Sequence, residues 1–318
     1  MTNLERQKVK NCIDSGGNFC PCNLAYSNDC IRCNMLNNNN CCDCVWQGVC
    51  ILNTLNHNKL YKPNERKQYL CKIVENKEIE KDVYLMKINI PNELSKDLYR
   101  PGSYVMLKSK EKNSDIFNTP ISVMDIENDI LEVVIRSVGP KTKAIVKSSE
   151  LYVKGPYFNG IFGLDNINKA FNEKCMLILS GLSQVNAIKV VKKLIDNNRV
   201  DVFINSDGIL IDEVTNKIKD LGANIYYFDI NDLEVIRGHI KENNIGLVYC
   251  ASNLAVSKII RDIVDSIDDT IKLSISNNNL ICCGEGMCGA CGIEINGEIV
   301  KTCKSQIDSR IFLDAKFK

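Results

Sequence analysis

Five cysteines and a run of glycines crowd the stretch ICCGEGMCGACGIEINGEIVKTC, residues 281–303. Within it Cys283, Cys288, Cys291 and Cys303 are separated by four, two and eleven residues. The first two gaps form the C-x4-C-x2-C run whose thiolates bind a 2Fe-2S cluster, with a fourth cysteine further along. Such a loop must bend around an inorganic core, turn three sulfurs inward and aim N–H groups at the sulfides. Gly284, Gly286, Gly289, Ala290 and Gly292 supply the small residues and backbone freedom this needs. Cys303 then arrives on the strand after a hairpin turn at Asn296-Gly297. A zinc knuckle would instead pair C-x2-C sites at longer separation. Cys282 is left over and is expected to pack or shield rather than bind.

Nine more of the 17 cysteines lie between Cys12 and Cys50. Cys20-x-Cys22, Cys30-x2-Cys33, Cys42-x-Cys44 and Cys50 stand beside Cys12 and Cys41, with little apolar sequence except Leu24, Trp46 and Val49. A segment of this kind cannot build its own core and needs a metal to fold. An iron–sulfur cluster, cubane or other, suits a protein that already moves electrons. Structural zinc suits the paired spacings and the lack of a usable histidine, since His57 lies outside the thiols. Under either reading the candidate ligands are Cys20, Cys22, Cys30, Cys33, Cys42, Cys44 and Cys50. Asn37 to Asn40 read as a loop. Cys71, Cys175 and Cys250 read as buried small hydrophobes.

The rest of the composition sets the frame. The chain has 318 residues, 45% hydrophobic and 25% charged, which suits a globular protein of roughly two or three domains. With 40 basic and 39 acidic side chains the net charge is +1, so the electrostatic footprint of a nucleic-acid binder or membrane-surface protein is absent. The start MTNLERQKVKNC carries no apolar leader, and no run approaches the roughly 18 apolar residues of a membrane helix. The expected location is the cytoplasm, where dense cysteine points to metal rather than to disulfides.

The elements that must position these groups follow from periodicity. Short alternating strands, YLCKIVENK, DVYLMKINI, SYVMLKS, ISVMDIE, ILEVVIRSV and LYVKGPY, predict a small antiparallel β-barrel over 66–158, interrupted by a helix around KTKAIVKS. From Lys174 buried strands alternate with amphipathic helices, which predicts a Rossmann-like parallel α/β domain over 172–273. A cysteine-rich metal segment (1–62) precedes these, and the cluster segment (274–318) follows.

Four further stretches fall in order along this frame: Thr119-Pro120-Ile121-Ser122-Val123, Val134-Ile135-Arg136, Gly139-Pro140-Lys141-Thr142 and Gly155-Pro156-Tyr157-Phe158-Asn159-Gly160. With the cysteine loop they make the chain from about Gln68 onward resemble the electron-transfer subunit of dihydroorotate dehydrogenase B and related sulfide dehydrogenase-type subunits, a ferredoxin reductase-like family. The resemblance implies a barrel that binds FAD, a domain that binds NAD(H) and a C-terminal 2Fe-2S loop. It implies that Thr119, Pro120, Ile121 and Ser122 contact the flavin. It places Val134, Ile135 and Arg136 along the ribityl and pyrophosphate, and Lys141 and Thr142 at a helix start facing the pyrophosphate. The N-terminal segment resembles the cysteine-rich extension of some clostridial-type relatives.

Departures from the family pattern are specific. Thr119 stands where the family has an arginine, leaving Arg136 and Lys141 as the nearby cations. The glycine-rich nucleotide loop reads Ser180-Gly181-Leu182-Ser183-Gln184-Val185-Asn186-Ala187 and keeps only Gly181. The later C-G-P-x-x-M signature reads Cys250-Ala251-Ser252-Asn253-Leu254. The expected activity is that of an oxidoreductase subunit without a catalytic triad or acid–base pair. It moves electrons between NAD(P)H, FAD and the 2Fe-2S cluster, to or from a partner oxidoreductase subunit in a heteromer, with ferredoxin a possible partner. The alternatives are an NAD-independent conduit fed through an N-terminal iron–sulfur site and a non-catalytic zinc-binding assembly module.

Overall fold

The structure, a computed structural model, describes residues 11–38, 41–42, 47–57, 65–111 and 118–317. Candidate ligand Cys44 and part of the Asn37–Asn40 loop lie outside the described residues.

The N-terminal segment contributes β1 (Asn11–Cys12), α1 (Asn23–Tyr26), a 3-10 turn over Asn34–Leu36 and α2 (Ile51–His57). Its interior is a small cluster of Ala25, Cys30, Cys33, Leu36, Ile51 and Leu55. The apolar content is thus larger than the cysteine stretch alone suggests, because α2 folds Ile51 and Leu55 back over the thiols.

The barrel is a seven-stranded antiparallel sheet of β2 (Gln68–Glu80), β3 (Val83–Asn89), β4 (Tyr104–Ser109), β5 (Thr119–Ser122), β6 (Asp125–Glu127), β7 (Ile130–Arg136) and β8 (Glu150–Tyr157), in the order β5-β4-β8-β2-β3-β7-β6. Residues such as Met86, Ile88, Val105, Leu107, Val133 and Val153 fill it. Two helices sit against the strands, α3 (Asn92–Leu98), which the strand pattern did not announce, and α4 (Pro140–Lys147), which it did.

After β9 (Ile161–Phe162) and α5 (Leu164–Lys169), the chain alternates strictly: β10 (Lys174–Leu179), α6 (Ala187–Leu194), β11 (Arg199–Asn205), α7 (Asp212–Asp220), β12 (Asn224–Phe228), α8 (Glu234–Asn243), β13 (Leu247–Ala251), α9 (Leu254–Ile267) and β14 (Lys272–Ser276). The sheet order is β12-β11-β10-β13-β14-β9, with all pairs parallel except the last. Its strands read as continuous apolar runs because helices cover both faces. The direction of winding reverses between β10 and β13, which opens a crevice at their carboxyl ends.

The C-terminal part forms a hairpin of β15 (Gly292–Ile295) and β16 (Glu298–Lys301), then β17 (Ser305–Gln306), α10 (Ser309–Leu313) and β18 (Lys316–Phe317). β17 pairs with β1, so the N-terminal segment is sewn to the cysteine loop. Polar contacts join the barrel to the α/β domain. Lys189 of α6 is fully buried and donates to the Ser103 hydroxyl and to the carbonyls of Ser103 (3.2 Å) and Leu98 (3.4 Å). Burial pushes its ammonium well below the usual lysine range. Asp125 receives Lys192 at 2.6 Å and Lys217 at 2.9 Å. Among the described residues no helix is long and apolar enough to cross a membrane.

Candidate functional site

The hairpin and its preceding loop bring Cys283, Cys288, Cys291 and Cys303 together. Cys303 lies between Cys283 and Cys291, and its proximity lowers the Cys283 thiol to about 4 and the Cys291 thiol to about 6, while Cys303 itself is raised. Backbone N–H groups reinforce the thiolate character: Glu285 N–H meets Cys283 Sγ at 3.3 Å, with Cys288 N–H also on that sulfur and Cys303 N–H on Cys291. Gly284, Gly286 and Gly289 all have positive φ, so the loop can turn its sulfurs inward. A Cβ on Gly284 would lie 2.6 Å from the Tyr157 ring, and one on Gly286 2.8 Å from Leu24. Cys282 lies beside Cys288 and Lys141. Thiols in contact, sulfurs already accepting N–H groups and a glycine cradle fit the donor set of a 2Fe-2S cluster. Among the described residues no three His, Cys, Asp or Glu form a site for a single metal ion.

Beneath this loop lies a buried charge network that the sequence did not announce. Asp14 accepts from Arg66 at 2.8 Å and from Lys304 at 2.6 Å, and Glu285 accepts from Arg66 at 3.0 Å and lies 3.2 Å from Lys304. Burial works against the Asp14 charge, but Lys304 and Arg66 outweigh it and hold the carboxyl below its usual range. The Arg66 guanidinium stacks 4.5 Å over Tyr157 and 4.3 Å over Phe19, and its Nε donates to the Pro156 carbonyl. Tyr157 in turn stacks on Tyr104 at 5.1 Å. The Tyr104 hydroxyl is buried beside Cys303 with no hydrogen-bond partner among the described residues, an orphan that an inorganic sulfide or flavin edge could satisfy. Cys303 lies in the turn between β16 and β17 rather than on a strand, and Asn159, fully buried, locks that turn by donating to the carbonyls of Thr302 and Ser305.

The residues expected at the flavin fall along one seam. β5, holding Thr119, Pro120, Ile121 and Ser122, is an edge strand that touches β7, which ends in Val134, Ile135 and Arg136. β7 also touches α4 and the 3-10 turn over Gly181–Asn186. The four β5 residues are half-buried and Arg136 is exposed, so one cation faces outward at the seam. At the start of α4 the Thr142 hydroxyl is occupied with Gly139, whose N–H it receives and to whose carbonyl it donates, both at 3.1 Å. Lys141 is exposed, and its charge reaches Cys282.

A cavity of about 370 Å³ opens at the crevice between β10 and β13. Ser180, Gly181 and Ser183 line one wall, Ser252 and Asn253 another, and Asn278 a third, with no charged side chain in the lining. Gly181 has φ +56, and no atom lies within 4 Å of where its Cβ would be. Asn253 caps α9 through Val256 N–H at 3.0 Å, so the positive end of that 14-residue helix faces the cavity. The missing glycines have not closed the site, because serines replace them.

Of the N-terminal candidates, Cys30 and Cys33 are buried and Cys20 and Cys22 half-buried, whereas Cys42 and Cys50 are exposed. Cys22 lies within electrostatic reach of Cys12, Cys20 and Cys30.

No protein-family model matches the chain. An uncharacterized protein in the adh 3' region of Clostridium beijerinckii is 24% identical over 227 residues, 64% of this chain and 73% of that protein. Among solved structures, the ferredoxin reductase in carbazole 1,9a-dioxygenase superposes with a TM-score of 0.50 at 14% identity, covering 68% of this chain and 70% of that one. A siderophore-interacting protein from Acinetobacter baumannii gives 0.51 at 12% identity, covering 66% and 89%. The chain therefore has the ferredoxin-reductase-like fold, an antiparallel β-barrel joined to an α/β domain.

Proposed function

We propose that this protein is an oxidoreductase subunit that moves electrons between NAD(P)H, FAD and a 2Fe-2S cluster, to or from a partner oxidoreductase. The observation that carries the reading is the convergence of Cys283, Cys288, Cys291 and Cys303 against the barrel residues Tyr104, Met106 and Tyr157. FAD supplies the conversion between two-electron hydride chemistry and one-electron iron–sulfur chemistry. The chain's own part is placement. Thr119 to Ser122 would line the flavin, Arg136 and Lys141 would meet its phosphates, and the Gly181 cavity would receive the nucleotide with hydroxyl and amide groups. Tyr157 and Tyr104 would exclude water between the seam and the loop. Cys288 is exposed beside Met287, which is 54% exposed, and this rim is where a partner would approach.

A second reading, an electron conduit that does not use NAD(H), is favoured by the single glycine left in the nucleotide loop. Anaerobically purified protein decides between them by its visible spectrum, with iron and flavin quantified, before and after one equivalent of NADH. Flavin bleaching by NADH is expected. Flavin and iron that respond only to dithionite would move the assignment to the second reading, and absence of both would remove the proposal.

A further inference from the structure

A second cysteine group lies against the first. Cys30 and Cys33 are buried together and Cys20 packs on them. Cys22 stands within electrostatic reach of Cys20 and Cys30. Backbone N–H groups meet two of these sulfurs, Cys30 and Cys20, whose thiols burial raises. Cys33 N–H meets Cys30 Sγ at 3.4 Å, Arg32 N–H aims at the same sulfur, and Gly16 N–H aims at Cys20. The equivalent device at the C-terminal loop is Glu285 N–H on Cys283 at 3.3 Å. N–H groups on sulfur are the means by which a protein stabilises and tunes an iron–sulfur core.

The placement is as specific as the grouping. β1 pairs with β17, Ile13 N–H donates to the Lys304 carbonyl at 2.9 Å, and Asp14 holds the Lys304 ammonium at 2.6 Å. Leu24, two residues after Cys22, fills the space that a side chain at Gly286 would take. Lys304, in electrostatic reach of Cys22, directly follows Cys303.

We propose that Cys20, Cys22, Cys30 and Cys33 bind an iron–sulfur cluster, seated against the loop of Cys283, Cys288, Cys291 and Cys303. This deepens the functional reading above and rests on the 2Fe-2S assignment for the neighbouring seat. Leu24 and the Asp14–Lys304 pair join the two seats, and an electron passing between them would make no bond and move no proton. Cys42 and Cys50, which lie outside the buried cluster of Cys30 and Cys33, are left out of this ligand set.

The test uses the full chain, purified anaerobically, with iron and zinc counted and low-temperature electron paramagnetic resonance recorded after dithionite. About four to six irons per chain and a second reduced signal broadened by coupling to the first are expected. The double variant Cys30→Ser, Cys33→Ser should fall to about two irons and keep the 2Fe-2S spectrum. A wild-type count of about two irons, or zinc in place of the extra iron, overturns the inference while leaving the 2Fe-2S reading intact. Conversely, iron lost by the double variant but unaffected by Cys291→Ser would sink the neighbouring assignment instead. The wild-type count decides even where the double variant does not fold.

Discussion

The two cysteine-rich regions hold thiols by different means. At Cys283–Cys303 the geometry is local: a hairpin supplies the walls, and glycines with positive φ supply the bend. At Cys12–Cys50 the elements are single turns around a buried cluster of six residues, and their position is borrowed from the C-terminal loop through β1, Asp14 and Leu24. A cysteine motif is thus autonomous when its backbone carries the bend, and dependent when a neighbour carries it.

The sharpest way to break this contrast is Gly284→Val. Its side chain would drive into Tyr157, where a Cβ already lies at 2.6 Å. Loss of the about two irons of the C-terminal cluster is expected, read by metal analysis; retention would mean the glycine cradle is dispensable.

Asp14→Asn attacks the borrowed position. It leaves Lys304 and Arg66 buried with half their compensation, at a cost of about 3–5 kcal/mol in chemical denaturation. The pH dependence has a defined sign. Because the folded carboxyl of Asp14 is held below its unfolded value, its contribution is present above the unfolded pKa of about 3.9 and is lost as the pH falls through the lower folded value. The variant should lack this part of the acid sensitivity, and an unchanged acid transition would show that the network contributes little.

Leu24→Ala opens a cavity between the two regions, and a loss of about 2–3 kcal/mol is expected. If stability holds but the N-terminal segment becomes sensitive to protease, the docking is weaker than the packing indicates. Smallest of all, Cys50→Ser at an exposed position should leave metal content unchanged and stability within about 0.5 kcal/mol. Metal loss in that variant would enlarge the N-terminal ligand set.

What the sequence disclosed follows from distance along the chain. The barrel, the alternating domain and the C-terminal loop were legible because periodicity and C-x4-C-x2-C spacing are local signals. Asp14, Arg66, Glu285 and Lys304 were not, since each partner lies far off in the chain and none carries a motif. Lys189 was hidden for the same reason: its acceptors, Leu98 at the end of α3 and Ser103 just before β4, lie far off in the chain. In the nucleotide loop the sequence signal was negative, two glycines replaced by Ser180 and Ser183, yet a cavity persists there because serines are small. The side chains of β5 and β7 fell on one seam because the fold brings their strands together, a relation that spacing cannot express.

The bond between Asp14 and Lys304 spans 290 positions, and this sets an order on the birth of the molecule. At a synthesis rate of about 5–20 residues per second, the Asp14 carboxylate waits roughly 15–60 s for its lysine to be made. Throughout that interval the earliest thiols have no strand to pair with and no loop to rest against. Docking of the N-terminal segment therefore waits for the synthesis of residues 283–306, and the first cysteines to be made are the last to find their neighbours.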